Sequence, residues 1–200
     1  MISRLIIATR NPGKSAEIQN ALKNLVHEVL SLAEFPGIPE IAETGTTFEE
    51  NARIKADTVY EATGLPTLAD DSGLEVDYLN GAPGVYSARY SGENATDARN
   101  NEKLLAALKN VAPEKRTARF RCVMVLQTGE KTITVDGSCE GIILTGLKGT
   151  KGFGYDPLFY IPELKKTFAE ISLAQKNQLS HRGLALRRMR EILEKDEKSA

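Results

Sequence analysis

The chain has 200 residues, 41% of them apolar, and its 26 basic side chains almost cancel its 27 acidic ones, for a net charge of -1. That is enough for a compact domain with a real core, and its near-neutrality excludes a bulk field for polyanions. Duplex nucleic acid is therefore not an expected partner, while a small phosphorylated ligand can still be held by a local basic cluster. No apolar run approaches the roughly 20 residues that span a bilayer, so no membrane association is expected.

The first eight residues are too short for a signal-peptide core and have no small-residue cleavage site behind them, which places the expected location in the cytoplasm. Cys122 and Cys139 are far apart, lack metal-ligand spacing and read as reduced core thiols. No repeat or linker divides the chain. A single domain over residues 1–195 with a frayed, charged tail at 196–200 is expected.

In chain order, Leu5-Ile6-Ile7-Ala8 is a continuous apolar run that suits a strand buried on both faces. Asn11 can cap the following helix, with Pro12 at its first position; Ile18, Ala21, Leu22 and Leu25 then recur at helical spacing. A second helix starts at Thr46-Thr47, each with a Glu three residues on (Glu49, Glu50). Phe48, Ala52, Ala56 and Val59 form its stripe and Gly64 ends it.

Residues 65–69 read as a short strand running into Asp70-Asp71-Ser72-Gly73. Residues 96–111 form a third helix with Leu104, Leu105 and Leu108 inward. Residues 117–128 alternate at strand period and turn at Gly129 into 132–135, a hairpin. Residues 180–194 form the last helix. Mixed elements and a hairpin predict an α/β fold with a mixed sheet.

Four segments carry chemistry. Residues 8–15 join a buried strand to a helix, where free N–H groups and the positive helix end suit phosphate; Thr9, Asn11 and Lys14 add donors and charge. A capped helix with a surface lysine fits the same residues. A Walker A loop does not, because Ala8 stands at its first glycine and Pro12 lacks an N–H.

In the second segment, Asp70 and Asp71 are adjacent carboxylates, which are costly unless they meet a cation or water. An Asp-Ser-Gly turn is the commoner source of such a pair. In the third, Gly152-Phe153-Gly154-Tyr155-Asp156-Pro157 frees the backbone around an aromatic that either stacks on a base or tucks into the core. In the fourth, Lys176 precedes Ser180-His181-Arg182 at a helix start. Cations there oppose the helix dipole unless an anion sits nearby; the alternative is a solvated basic turn. His27 reads as a surface residue.

The succession of these motifs is more specific than any one of them. With Thr47-Phe48-Glu49-Glu50-Asn51-Ala52, Lys55-Ala56 and Gly81-Ala82-Pro83-Gly84-Val85-Tyr86-Ser87-Ala88-Arg89-Tyr90 in order between them, the chain resembles the inosine triphosphatase family, also called the Ham1 family, over nearly its whole length. The resemblance implies a long mixed twisted sheet with two lobes flanking a central active-site cleft, and a homodimer. It implies a Mg²⁺-dependent pyrophosphatase that converts purine nucleoside triphosphates such as ITP, dITP and XTP to monophosphates, cleaning the nucleotide pool.

The resemblance also implies roles by position. Thr9, Asn11, Lys14 and Lys55 would hold the triphosphate. Asp71 would be the general base and a metal ligand, with Glu43 as the second carboxylate and Asp70 in support. Ser72 would touch substrate, Phe153 would stack on the purine within Gly154-Tyr155, and Asp156, Lys176, His181 and Arg182 would read its edge. Arg10 replaces a glycine common at that position and is expected to point outward.

A triphosphate with one or two carboxylates meets the coordination habit of Mg²⁺. An Asp beside the metal can deprotonate water, so direct attack without a covalent intermediate is expected. Arg182 and His181 as donors would accept a 6-keto purine and reject adenine's amino group, by roughly 10⁴-fold where polar groups are left unpaired. A pyrimidine-directed pyrophosphatase, a nucleotide-binding regulator and a nucleic-acid module are the rival readings.

Overall fold

The computed structural model describes residues 2–22 and 25–199, with side chains of the last helix as far as Lys195. Seven strands form one sheet: β1 Ile2–Ile7, β2 Val26–Ser31, β3 Thr67–Val76, β4 Thr117–Gln127, β5 Thr132–Ile143, β6 Phe159–Ile161 and β7 Lys166–Thr167, in the order β2-β1-β3-β4-β5-β6-β7. β1 pairs parallel with β2 and β3, whereas β5–β6 and β6–β7 are antiparallel. The helices are α1 Pro12–Leu22, α2 Phe48–Thr63, α3 Asp97–Ala107, α4 Leu173–Leu179 and α5 His181–Ser199. The sheet is therefore mixed, as expected. Among the described residues no helix is long and apolar enough to cross a membrane.

The chain gathers into two compact units without any linker, because three strands run through both. Met1–Asp71, Cys122–Gly137 and Arg182–Ala200 make the first unit; Ser72–Arg121 and Ser138–His181 make the second. In the first, one core joins Leu5, Ile7, Ile18, Leu22, Leu68, Cys122, Met124 and Met189. A second core joins Ile6, Ala8, Leu30, Ala52, Ala56, Val59 and Val125. The continuous apolar runs of β1 and mid-β4 are thus buried on both faces.

In the second unit Leu74, Leu104, Leu108, Phe120, Leu158, Phe159 and Phe168 form the core. Phe120 lies 4.7 Å from Phe159 and 5.8 Å from Phe168 between ring centroids. Buried Arg116 donates to the carbonyls of Leu108, Val111 and Leu144, tying the segment after α3 to the end of β5.

The local signals mostly hold. Asn11 Oδ1 accepts from Gly13 and Lys14 N–H, capping α1 with Pro12 first. Thr47 and Glu50 form the capping box of α2, and Gly64 closes it in the left-handed conformation at φ 66°. Thr96 caps α3, which ends at Ala107, earlier than expected. Gly129, at φ 85°, turns β4 into β5, which extends to Ile143 rather than Val135.

Three features differ. β2 occupies a stretch that showed no periodicity, because an edge strand buries only Val26 and Leu30 fully. His27 in it is exposed, as read. β3 runs through Asp70-Asp71-Ser72-Gly73, so these residues are strand and not turn. Lys176 lies in a separate short helix, α4, whose last turn Ser180 closes by donating N–H to the Lys176 carbonyl. The side chains of the tail read as frayed at 196–200 lie outside the described residues, although α5 itself runs to Ser199.

Candidate active site

β3 decides the chemistry of the first unit. Neighbouring residues on a strand face opposite ways, and the two aspartates meet different partners. Asp70 Oδ2 takes Lys14 Nζ at 3.1 Å and the Arg182 Nη2 and Nε at 3.0 and 3.3 Å. Asp71 takes Asn51 Nδ2 at 3.1 Å on Oδ2 and Lys55 Nζ at 3.5 Å on Oδ1. The same Lys55 ammonium donates to Glu43 Oε1 at 2.6 Å.

The ionisation of the two aspartates diverges accordingly. Burial would raise the Asp70 carboxyl, but Lys14, then Arg182 and Lys55, overcome it and hold Asp70 far below the usual carboxylate range. For Asp71 burial prevails. With Glu43 nearby it pushes the carboxyl up against the pull of Lys55 and Lys14. Lys55, though buried, stays charged above its ordinary value because Asp71, Asp70 and Glu43 face it. The result is an Asp70 held in its ionised form beside an Asp71 with raised proton affinity, a division suited to a base.

Arg182 is 1% exposed, and its guanidinium is bonded to Asp70 and, through Nη1, to Glu17 of α1, so it serves as an anchor inside the first unit. The anion expected near a helix start bearing His181-Arg182 is supplied by the protein's own carboxylates. Arg10 is exposed, has no positive φ and donates to the Ile38 carbonyl at 2.6 Å, so it points away as expected. Thr9 Oγ1 accepts from Asn11 N–H at 3.2 Å, which ties the loop together. Two first-turn N–H groups expected for phosphate are taken by Asn11 Oδ1, leaving Lys14 as the loop's charge near Asp70.

The donor set fits a divalent cation. Among the described residues of this cluster three cations (Lys14, Lys55, Arg182) meet four carboxylates (Glu17, Glu43, Asp70, Asp71), a surplus of one negative charge. Glu43 and Asp71 direct hard oxygens at one cationic point, now the Lys55 ammonium. Among the described residues no three or more His, Cys, Asp or Glu side chains are placed to hold a metal ion by themselves. Two carboxylates completed by phosphate oxygens and water are what Mg²⁺ takes.

The second unit holds a different constellation. Lys176 Nζ donates to Asp156 Oδ2 at 2.6 Å, both side chains buried, and lies 4.6 Å from the centroid of the Phe153 ring. The same Asp156 oxygen accepts from Phe153 N–H at 3.0 Å. Gly152 has φ 76°, and a Cβ there would sit 2.0 Å from Asp156 Oδ2, so both conformation and space demand glycine. Tyr155 is buried and donates to the Ser87 carbonyl at 2.8 Å. His181, expected on a base edge, is 3% exposed and stacks on Phe120 at 4.7 Å and 13°. Ser72, half-buried, follows Asp71 on β3.

Glu17 and Asn51 were not singled out from the sequence, although each left a signal. Glu17 sits beside Ile18 on the buried side of α1, and Asn51 and Lys55 stand at i, i+4 within the apolar stripe of α2.

An α/β fold whose first unit sets an acidic pair on a central strand against two lysines has the charge arrangement that a nucleotide hydrolase uses. Residues 5–192 match the model of the Ham1 family, and the chain belongs to that family. It is 54% identical to a dITP/XTP pyrophosphatase of Desulforamulus reducens over 95% of both chains. It is also 54% identical to one of Geobacter sulfurreducens over 96% of this chain and 97% of that one. A solved HAM1 protein from Coxiella burnetii superposes with a TM-score of 0.88 at 43% identity, covering 97% of this chain and all of the other. The Ham1 protein of Staphylococcus aureus gives 0.86 at 42%, with the same coverage.

Proposed function

We infer that this chain is a nucleoside-triphosphate pyrophosphatase acting on non-standard purine nucleotides (dITP, XTP and ITP) and releasing the monophosphate and pyrophosphate. The observation that carries this reading is the convergence of Glu43 and Asp71 on Lys55, beside an ionised Asp70 that holds Lys14. The family and the activity in its relatives' names agree with it.

In this reading Lys14 and Lys55 neutralise the phosphates, and Thr9 and Asn11 shape the loop that presents Lys14. Asn51 and Lys55 fix the two oxygens of Asp71. Asp71 accepts the proton of the attacking water; the water oxygen bonds to the α-phosphorus, and the α–β bridge breaks with pyrophosphate as leaving group. Mg²⁺, when held by Glu43 and Asp71, supplies charge neutralisation and acidifies that water. Phe153 stacks on the purine, and Lys176 and Asp156 present a donor and an acceptor toward its edge. Assembly as a homodimer, at twice 21.9 kDa, and a cytoplasmic location suited to the free thiols of Cys122 and Cys139 belong to the same proposal.

The test is release of pyrophosphate, not single phosphate, from ITP, dITP, XTP, ATP and GTP with and without Mg²⁺, run in ¹⁸O water. Metal-dependent release from the first three, near absence from ATP and GTP, and label in the monophosphate are expected. A folded protein that binds ITP and releases nothing would be a nucleotide-binding regulator.

A further inference from the structure

We propose that Asp97 and Asn101 of α3 are positioning residues for the purine base. Together they grip the peptide groups of Gly154 and so set the orientation of the Phe153 ring. This rests on the reading of the Phe153 loop as the base site. The Gly154 N–H donates to Asp97 Oδ2 at 2.6 Å, and Asn101 Nδ2 donates to the Gly154 carbonyl at 2.9 Å. Four residues apart on a helix, the two side chains lie on one face, so one turn of α3 holds both ends of a single residue.

The need for such a grip follows from the loop. Gly152 and Gly154 both have positive φ, at 76° and 60°, and lie outside helix and strand. Glycines leave a backbone free to sample many conformations unless bonds outside it decide. Asp156 fixes the Phe153 N–H on one side, and α3 fixes Gly154 on the other. Ring orientation is therefore set at both flanking peptides. Stacking tolerates little rotation, so loss of either anchor spreads the ring over orientations of which few are productive.

α3 is itself held firmly. Thr96 caps it and Leu104 and Leu108 are buried in the core. Asn100 donates to the Ser87 and Ala88 carbonyls. Asn101 is 5% exposed, and its Oδ1 has no partner among the described residues. An amide buried with an open acceptor costs stability, and the bond to Gly154 is the function on view that accounts for keeping it there. The Asp97 bond is charge-assisted, the stronger kind.

The experiment measures binding of inosine monophosphate, which carries the base, and inhibition by inorganic triphosphate with Mg²⁺, which does not. The proteins are the parent, Phe153→Ala, Asp97→Ala, Asp97→Asn and Asn101→Ala. Asp97→Ala and Asn101→Ala should each weaken inosine monophosphate about tenfold or more, the cost of a lost bond at this level. Inhibition by triphosphate should stay within about twofold on the same argument. Asp97→Asn, which still offers an acceptor, should recover most of the affinity.

If Phe153→Ala weakens the nucleotide while both α3 variants bind it like the parent, the grip is wrong and the base site stands. If Phe153→Ala itself changes nothing, the base site is wrong and the grip falls with it. Equal loss of both ligands in the α3 variants would make their role merely structural and overturn the proposal. Should Asp97→Ala not fold, Asn101→Ala, which leaves the start of α3 intact, decides.

Discussion

The two units use opposite means to make a site. The first buries charge: seven ionisable groups in a mutual network, with a strand dividing Asp70 from Asp71 and the cations each one meets dividing their proton affinities. The second uses shape: a ring between two left-handed glycines, one ion pair beneath it and a helix gripping its backbone. A polyanion under hydrolysis needs charge held in place, whereas a nearly neutral base is distinguished by stacking and by a few donors and acceptors. The contrast teaches that an electrostatic site is assembled by long-range pairing and a stacking site by local backbone conformation. Substitutions in the two should therefore fail in different ways.

The largest expected effect is on rate. Asp71→Asn keeps the size and the contact with Asn51 but removes the base. Turnover should fall by roughly 10²- to 10⁴-fold, the usual worth of general-base catalysis, with the melting temperature of the parent. Turnover within threefold would show that Asp71 is not the base.

Next is stability. Arg182→Met leaves Asp70 and Glu17 without their shared guanidinium, and breaking such a buried pair costs about 3 to 5 kcal/mol, read as a lower urea midpoint. Adding Glu17→Gln should recover part of that loss, because one stranded charge is gone. Equal midpoints for Arg182→Met and the parent would end the view of Arg182 as an anchor.

In the second unit Gly152→Ala should cost about 1 to 3 kcal/mol of local strain, since its Cβ would meet Asp156 at 2.0 Å. The cost should appear as a raised KM for ITP more than as a lower kcat. A lowered kcat at constant KM would contradict the separation of the two constellations.

The smallest effect tests a purely local device. Thr47→Ala should cost about 1 kcal/mol as an N-cap loss. The backbone N–H of Thr46, with its hydroxyl and the Thr47 N–H, holds Glu50 below its ordinary 4.5. A depressed carboxyl contributes stability that is present above the unfolded value and is lost as pH falls through the folded one. The stability difference between parent and Glu50→Gln should accordingly be full above pH 4.5 and close below it.

Much of the fold was legible because its signals are local. A cap reads three residues ahead, as Thr47 does to Glu50, and a stripe such as Phe48, Ala52, Ala56 and Val59 repeats every three or four. β2 escaped notice for the converse reason: an edge strand with few fully buried positions leaves little alternation to read. Of the candidate site, Lys14, Lys55, Asp71, Phe153, Asp156 and Lys176 could be named from motif order alone, through resemblance.

What only the tertiary structure decided is which charge meets which. Whether Asp70-Asp71 was turn or strand depended on β3 carrying on beside β4, past its pairing with β1 at Thr67 and Leu68. Arg182 reaches Asp70 across 112 residues of chain and Glu17 across 165. A guanidinium near a helix start carries no mark of whether solvent, a base or a buried carboxylate will satisfy it. That choice is set by desolvation in the folded core, where an unpaired charge is too costly to leave, and no local pattern of residues encodes it.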